Sequence, residues 1–146
     1  MSGKFLTGRR ILVVEDEMLV LMMAEDMLAD LGCEAVTNAA TVNQALALIE
    51  TEIFDAALLD MNLGGDKSFP VADALAARKV PFIFATGYTG HDMWEGYRDR
   101  PVLQKPFRYE DLTGVLSRLL ARSGGANQNL STIKYEAPKK TPPRAG

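Results

Sequence analysis

Five short apolar runs, set between longer stretches of helical spacing, constrain this chain more than any other feature. They are Ile11-Leu12-Val13-Val14, Ala35-Val36, Ala56-Ala57-Leu58-Leu59, Phe82-Ile83-Phe84-Ala85 and Val102-Leu103. Most are too continuous to keep one wet face, which predicts strands of a parallel sheet covered by helices on both sides. Thr41-Val42-Asn43-Gln44 has the form of a capping box, opening a helix whose Val42, Ala45, Leu46 and Ile49 share one face. Leu112, Val115, Leu116, Leu119 and Leu120 repeat that spacing near the end of the region. The expected fold is therefore α/β, a doubly wound five-stranded parallel sheet of order 2-1-3-4-5. Its connections are right-handed, and ligands sit beyond the carboxyl ends of the strands.

Length and charge narrow the function. With 146 residues, 47% of them hydrophobic, the chain has material for one core. Residues 8 to 122 are expected to hold it, with residues 1 to 7 as an N-terminal extension. Residues 1 to 122 carry 12 basic and 18 acidic groups, whereas residues 123 to 146 carry four basic and one acidic. That last stretch is rich in Gly, Asn, Ser, Pro and Lys, and reads as a flexible basic tail. A net charge of -3 argues against a nucleic acid partner. Cys33 stands alone, so no internal disulfide is possible, and with His91 the only histidine a His/Cys metal site is excluded. No apolar run approaches the roughly 20 residues that span a bilayer, and no signal segment opens the chain, so a cytoplasmic location without membrane contact is expected.

The chemistry is expected at the strand ends. Glu15 and Asp16 follow the first strand, Asp60 the third, Thr86 the fourth and Lys105 the fifth. If the first and third strands are neighbours, three carboxylates share one shallow pocket. Two unit charges about 4 Å apart repel by roughly 4 kcal/mol at an effective dielectric near 20, so the cluster calls for a cation. An all-oxygen site with open positions suits Mg²⁺. Each residue has an ordinary alternative: Asp16 or Glu17 as a helix cap, Asp60 as the start of the loop Met61-Asn62-Leu63-Gly64-Gly65, Thr86 as a turn residue, Lys105 as a solvated cation. Four such positions at one edge of one sheet are harder to explain that way.

The segments Val13-Val14-Glu15-Asp16-Glu17, Leu58-Leu59-Asp60-Met61-Asn62, Phe84-Ala85-Thr86-Gly87 and Lys105-Pro106-Phe107 together resemble the receiver domain of response regulators in two-component signalling. The stretch from Pro81 to Tyr88 is similar to the single-domain subgroup named for its FAT-G-Y motif. The resemblance implies that Asp60 is the phosphoacceptor, taking a phosphoryl group from a sensor histidine kinase. It implies Mg²⁺ held by Asp16, Asp60 and the carbonyl of Asn62, with Glu15 reaching it through water. It assigns Lys105 and Thr86 to the phosphoryl oxygens, gives Gly87 the role of leaving room, and implies a cis bond before Pro106. Such a protein acts on itself and is not a turnover enzyme.

Two departures bear on output. Receivers usually carry Tyr or Phe where this chain has Val102, so the common aromatic readout is missing. Only 18 residues separate Thr86 from Lys105, and Gly87, Gly90, Gly96 and Pro101 fall among them, so the fourth helix is expected to be short or irregular. Tyr88, Trp94 and Tyr97 then become the candidate readout. The helix from about Met18 is apolar on more than one face. If Val20, Met23, Ala24, Met27 and Leu28 point inward, Met18, Leu19 and Met22 remain for kinase docking. A nucleotide binder is disfavoured because Glu15-Asp16-Glu17 would repel phosphate, and a phosphatase of the haloacid dehalogenase type because Asn62 stands where it needs an acid. The remaining alternative is a receiver-shaped interaction module that works without phosphorylation. Without a second folded domain after residue 122, output is expected through protein contacts or onward phosphoryl transfer and not through DNA.

Overall fold

The computed structural model describes residues 4–87 and 100–124. The elements in chain order are β1 (Arg10–Val14), α1 (Met18–Asp30), β2 (Ala35–Ala39), α2 (Val42–Thr51) and β3 (Ala56–Asp60). Two short strands, β4 (Asn62–Leu63) and β5 (Asp66–Lys67), lead into α3 (Phe69–Ala77), followed by β6 (Phe82–Thr86), β7 (Val102–Gln104) and α4 (Tyr109–Gly124). The main sheet runs β2-β1-β3-β6-β7 with every pairing parallel. With the small β4–β5 hairpin set aside, that is the 2-1-3-4-5 order read from the sequence.

The continuous apolar runs are explained by a core on each face. Ile11 and Val13, Ala56 and Leu58, and Ile83 and Ala85 face α1 and α4, where Leu21, Ala24, Leu28, Leu112 and Leu116 are buried. The alternate residues Leu12, Val14, Ala57, Leu59, Phe82 and Phe84 face α2 and α3, packing with Ala45, Ile49, Val71 and Leu75. Successive side chains on a strand point to opposite sides, so a strand buried twice needs every position apolar. Phe82 and Phe84 add an edge-to-face contact with centroids 5.3 Å apart. At the start of α2, Thr41 Oγ1 accepts from the Gln44 N–H at 3.1 Å, while the Gln44 side chain accepts from the Ala40 N–H at 2.8 Å. The reciprocal partner thus lies one residue before the cap, a small variation on the capping box.

Several details differ from the sequence reading. Phe5 and Leu6 belong to the domain: Leu6 is fully buried, and its N–H donates to Leu31 O at 2.9 Å. Two apolar residues without periodicity gave no signal of that packing. On α1 the buried residues are Leu21, Ala24 and Leu28, whereas Met23 is exposed and not inward. With apolar residues all round the helix, its sequence does not single out an inner face. The loop after Asp60 is a hairpin, where Gly64 (φ +59°) and Gly65 (φ +95°) supply the two positive φ values of a tight two-residue turn. The expected short fourth helix, and the readout candidates Tyr88, Trp94 and Tyr97 with it, lie outside the described residues. Among the described residues no helix is long and apolar enough to cross a membrane.

Candidate functional site

Three parallel strands deliver the site to one rim. β1 ends into Glu15 and Asp16, its neighbour β3 ends on Asp60, and the next strand β6 ends on Thr86. Lys105 follows the edge strand β7, tied back by its N–H to Thr86 O at 2.7 Å, and the Lys105–Pro106 bond is cis. Asp16, Asp60 and Lys105 line a cleft of about 630 Å³, whose walls also include Asn62, Gly64 and Gly87.

The carboxylates are as crowded as their positions imply. Oxygens of Glu15, Asp16 and Asp60 all lie within 4.8 Å of one another, with Glu15 and Asp60 buried and Asp16 exposed. Lys105 Nζ reaches Asp60 Oδ2 at 3.2 Å, Glu15 Oε1 at 3.3 Å and Glu17 Oε1 at 3.6 Å. Among the described residues, one ammonium thus faces three carboxylates, with Asp16 as a fourth beside Glu15 and Asp60. Asp60 Oδ1 accepts from the Asn62 N–H at 3.2 Å, and Glu15 Oε2 accepts from the Glu17 N–H at 3.1 Å. Glu17 holds the N-cap position of α1 without a side-chain cap hydrogen bond, so the simple cap reading does not apply to it.

Burial and neighbouring charges both act on the ionisable groups of the site. Burial first and the neighbouring Asp60 second, opposed by the Glu17 N–H and Lys105, together raise the Glu15 pKa to about 7. Burial opposes the charge on Lys105, but Asp60 and Glu15 outweigh it and hold its pKa above the ordinary lysine range. The donor set is all oxygen, open to solvent at Asp16 and short of positive charge, which fits Mg²⁺.

That fit makes a quantitative expectation. Mg²⁺ at its dissociation constant should stabilise the fold by about 0.4 kcal/mol, rising with concentration. Replacing Asp16 by Asn should remove most of this gain while raising the melting temperature of the metal-free protein, because one repelling charge is gone. Thermal melts of both proteins across a Mg²⁺ titration check it; a gain that survives in Asp16→Asn would count against the assignment.

Other candidate positions fall near the cleft or away from it. Gly87 lines the cleft, and a Cβ built there meets no atom of the described residues within 4 Å. Met18, Leu19 and Met22 are 65%, 76% and 51% exposed, and with Met23 they form an apolar patch at the start of α1 that reaches the cleft through Met23. Sequence reasoning missed two residues of the site. Glu17 has no site role in the sequence reading beyond a possible cap and a share in the acidic run, although it pairs with Lys105. Ser68, fully buried at the start of α3, hydrogen-bonds through its hydroxyl to the Asp60 carbonyl.

Comparison with known proteins places these features in context. The family model of the response regulator receiver domain matches residues 11–117. Over 118 residues the chain is 29% identical to the transcriptional regulatory protein PdtaR of Mycobacterium tuberculosis, with 78% of this chain covered. It spans 58% of the length of that curated relative. SdrG from Sphingomonas melonis Fr1 is similar at 50% identity and a TM-score of 0.68, over 82% of this chain and 99% of that one. SdrG has also been solved in a BeF3-activated conformation, similar to this chain with a TM-score of 0.66. The receiver domain of sensor histidine kinase PA1611 from Pseudomonas aeruginosa PAO1 is 29% identical, with a TM-score of 0.65 over 79% of this chain and 99% of that one. Its structure has a magnesium ion coordinated in the active site cleft.

Proposed function

This chain belongs to the response regulator receiver family, and on that premise we propose that it is a phosphoacceptor switch in which Asp60 takes a phosphoryl group from a phosphohistidine on a histidine kinase. The observation that carries the reading is the setting of Asp60: a buried carboxylate with Lys105 Nζ at 3.2 Å and two further carboxylates within 4.8 Å. An Asp60 oxygen attacks phosphorus, the N–P bond breaks, and the imidazole leaves with the electron pair and takes a proton from solvent. Phosphoryl transfer asks mainly for positioning and for neutralisation of oxygens that stay negative throughout. Lys105 meets one of those oxygens as a point charge, and the Thr86 hydroxyl donates to another.

Asp16, Asp60 and the Asn62 carbonyl would hold Mg²⁺, with Glu15 acting through water. When bound, the ion supplies the neutralising charge that Lys105 alone does not. The beryllofluoride-activated form of the similar SdrG supports this reading. The protein is a substrate of its own chemistry at Asp60 and turns over no external phosphate ester. Output follows through protein contacts, and with Val102 in place of the usual aromatic, the segment holding Tyr88, Trp94 and Tyr97 takes over the readout.

Histidine kinases preloaded with labelled phosphate test the function. Label should pass to this chain in the presence of Mg²⁺ and stay on the kinase when the metal is chelated. Stable kinase binding without any transfer of label would favour the phosphorylation-independent module instead.

The apolar patch on α1 is the proposed docking face for the kinase, since its methionines adapt to an apolar partner surface. Changing Met18 and Met22 to Gln should slow phosphotransfer from the kinase about tenfold, while leaving labelling by a small phosphoramidate unchanged. A matching loss with both donors would show that the substitutions damage the site and not the docking.

A further inference from the structure

We propose that Ser68 is a positioning residue for the phosphoacceptor, acting through the backbone of Asp60. The inference rests on the reading of Asp60 as phosphoacceptor and adds a residue that sets its pose. Ser68 is wholly buried at the N-cap of α3, yet its side chain makes no cap hydrogen bond. The hydroxyl instead donates to the Asp60 carbonyl, eight residues back. The Ser68 N–H donates to Met61 O at 3.0 Å, and the Ser68 carbonyl accepts from Val71 and Ala72 in the first turn of α3. The hydroxyl and the N–H of Ser68 thus join α3 to the peptides that follow Asp60, while its carbonyl opens the helix.

The Asp60 carbonyl needs such a partner. The Met61 N–H, on the same peptide unit, goes to Ala85 O of β6 at 3.2 Å. In a trans peptide the carbonyl points the opposite way, towards β1, whose ladder with β3 ends one residue earlier at Val14 and Leu59. Ser68 fills the place of the missing rung, and a buried carbonyl is rarely left without a partner. Fixing that peptide plane fixes the direction in which the chain leaves Asp60. The Asn62 N–H that holds Asp60 Oδ1 at 3.2 Å depends on that direction, and with it the orientation that sets Oδ2 3.2 Å from Lys105 Nζ. The same clamp anchors the base of the β4–β5 hairpin, whose Gly64 comes close enough that a Cβ would lie 3.7 Å from Asp16 Oδ2.

Two variants test the inference. Ser68→Ala removes the donor, and Ser68→Cys keeps nearly the same shape but gives a weaker, longer donor. Each is compared with the parent protein well below its own melting temperature, in Mg²⁺ with a small phosphoramidate donor. The expected result is a labelling rate about five- to tenfold lower for Ser68→Ala and a smaller loss for Ser68→Cys. The Asn62 amide proton resonance should move in the direction of a weaker hydrogen bond in both. A role confined to stability would lower the melting temperature while leaving the rate and the Asn62 amide of the folded protein unchanged, and that result overturns the proposal. Should Ser68→Ala not fold, a Ser68→Cys protein with the parent rate and the parent Asn62 resonance overturns it equally. If the parent protein itself takes up no phosphoryl group, the phosphoacceptor reading fails, and an unmoved Asn62 resonance in the variants then separately removes the positioning role.

Discussion

Asp60→Asn protein will take up no phosphoryl group from a small phosphoramidate donor under conditions that label the parent chain, and it will melt at a higher temperature without metal. Both outcomes come from the same carboxylate. The nucleophile is lost because an amide oxygen does not form a stable bond to phosphorus under these conditions. The fold gains because one of the charges gathered within 4.8 Å disappears, while the amide oxygen can still accept from the Asn62 N–H and Lys105 keeps Glu15 at 3.3 Å. A gain of about 1 kcal/mol is expected, well below the bare Coulomb repulsion because the cleft opens to water. Intact-mass measurement after incubation with the donor, together with a metal-free thermal melt, reads both effects. Labelling equal to that of the parent chain would place the phosphoacceptor elsewhere.

Removing the cation should do the opposite. Lys105 is largely covered and binds Asp60 and Glu15 at 3.2 and 3.3 Å, so Lys105→Met leaves two buried carboxylates facing each other with no counter-charge between them. Breaking a buried pair commonly costs about 3–5 kcal/mol. Here the expected loss is smaller, about 2 kcal/mol, because Glu15 already titrates near 7 and takes up a proton when its partner is gone. Adding Glu15→Gln to Lys105→Met should recover much of the loss, and urea denaturation of the four proteins in the cycle measures the coupling. Phosphoryl uptake should fall with the single substitution and remain low in the double variant, since relieving repulsion does not replace the ammonium. A Lys105→Met protein as stable as the parent would mean that the pairings seen here contribute little.

How far the sequence reached can be traced residue by residue. Strand identity and order were legible because β1, β3 and β6 are buried on both faces, which leaves four successive positions in each apolar and produces runs that amphipathic helices do not. The inner face of α4 was legible for the converse reason: Leu112, Leu116, Leu119 and Leu120 stand out from polar neighbours. In α1 that contrast is missing, so an inward face that includes Met23 and omits Leu21 fits the sequence, whereas Met23 is exposed and Leu21 buried. Leu6, a single buried side chain, carries no period, and nothing in the sequence separates it from an extension.

The site divides the same way. Glu15, Asp16, Asp60, Thr86 and Lys105 could be found because strand ends are places with a chemical expectation attached. Ser68 had none: its partner is a backbone carbonyl, and a backbone atom leaves no mark in a sequence. Glu17 looked like a helix cap because local pattern sees the next residue, whereas its partner Lys105 lies on another strand end.

The central claim is that carboxylates crowded at one rim of the sheet, completed by a divalent cation, make Asp60 the atom-bearing group that receives phosphate. Site mapping by mass spectrometry tests it most directly: label the chain with a phosphoramidate donor in Mg²⁺ or in chelator, trap the acyl phosphate by borohydride reduction, and locate the modified residue. The account predicts one modification, at Asp60, that appears with Mg²⁺ and is lost with chelator. A label on another residue, or at Asp60 with equal efficiency in chelator, would contradict it.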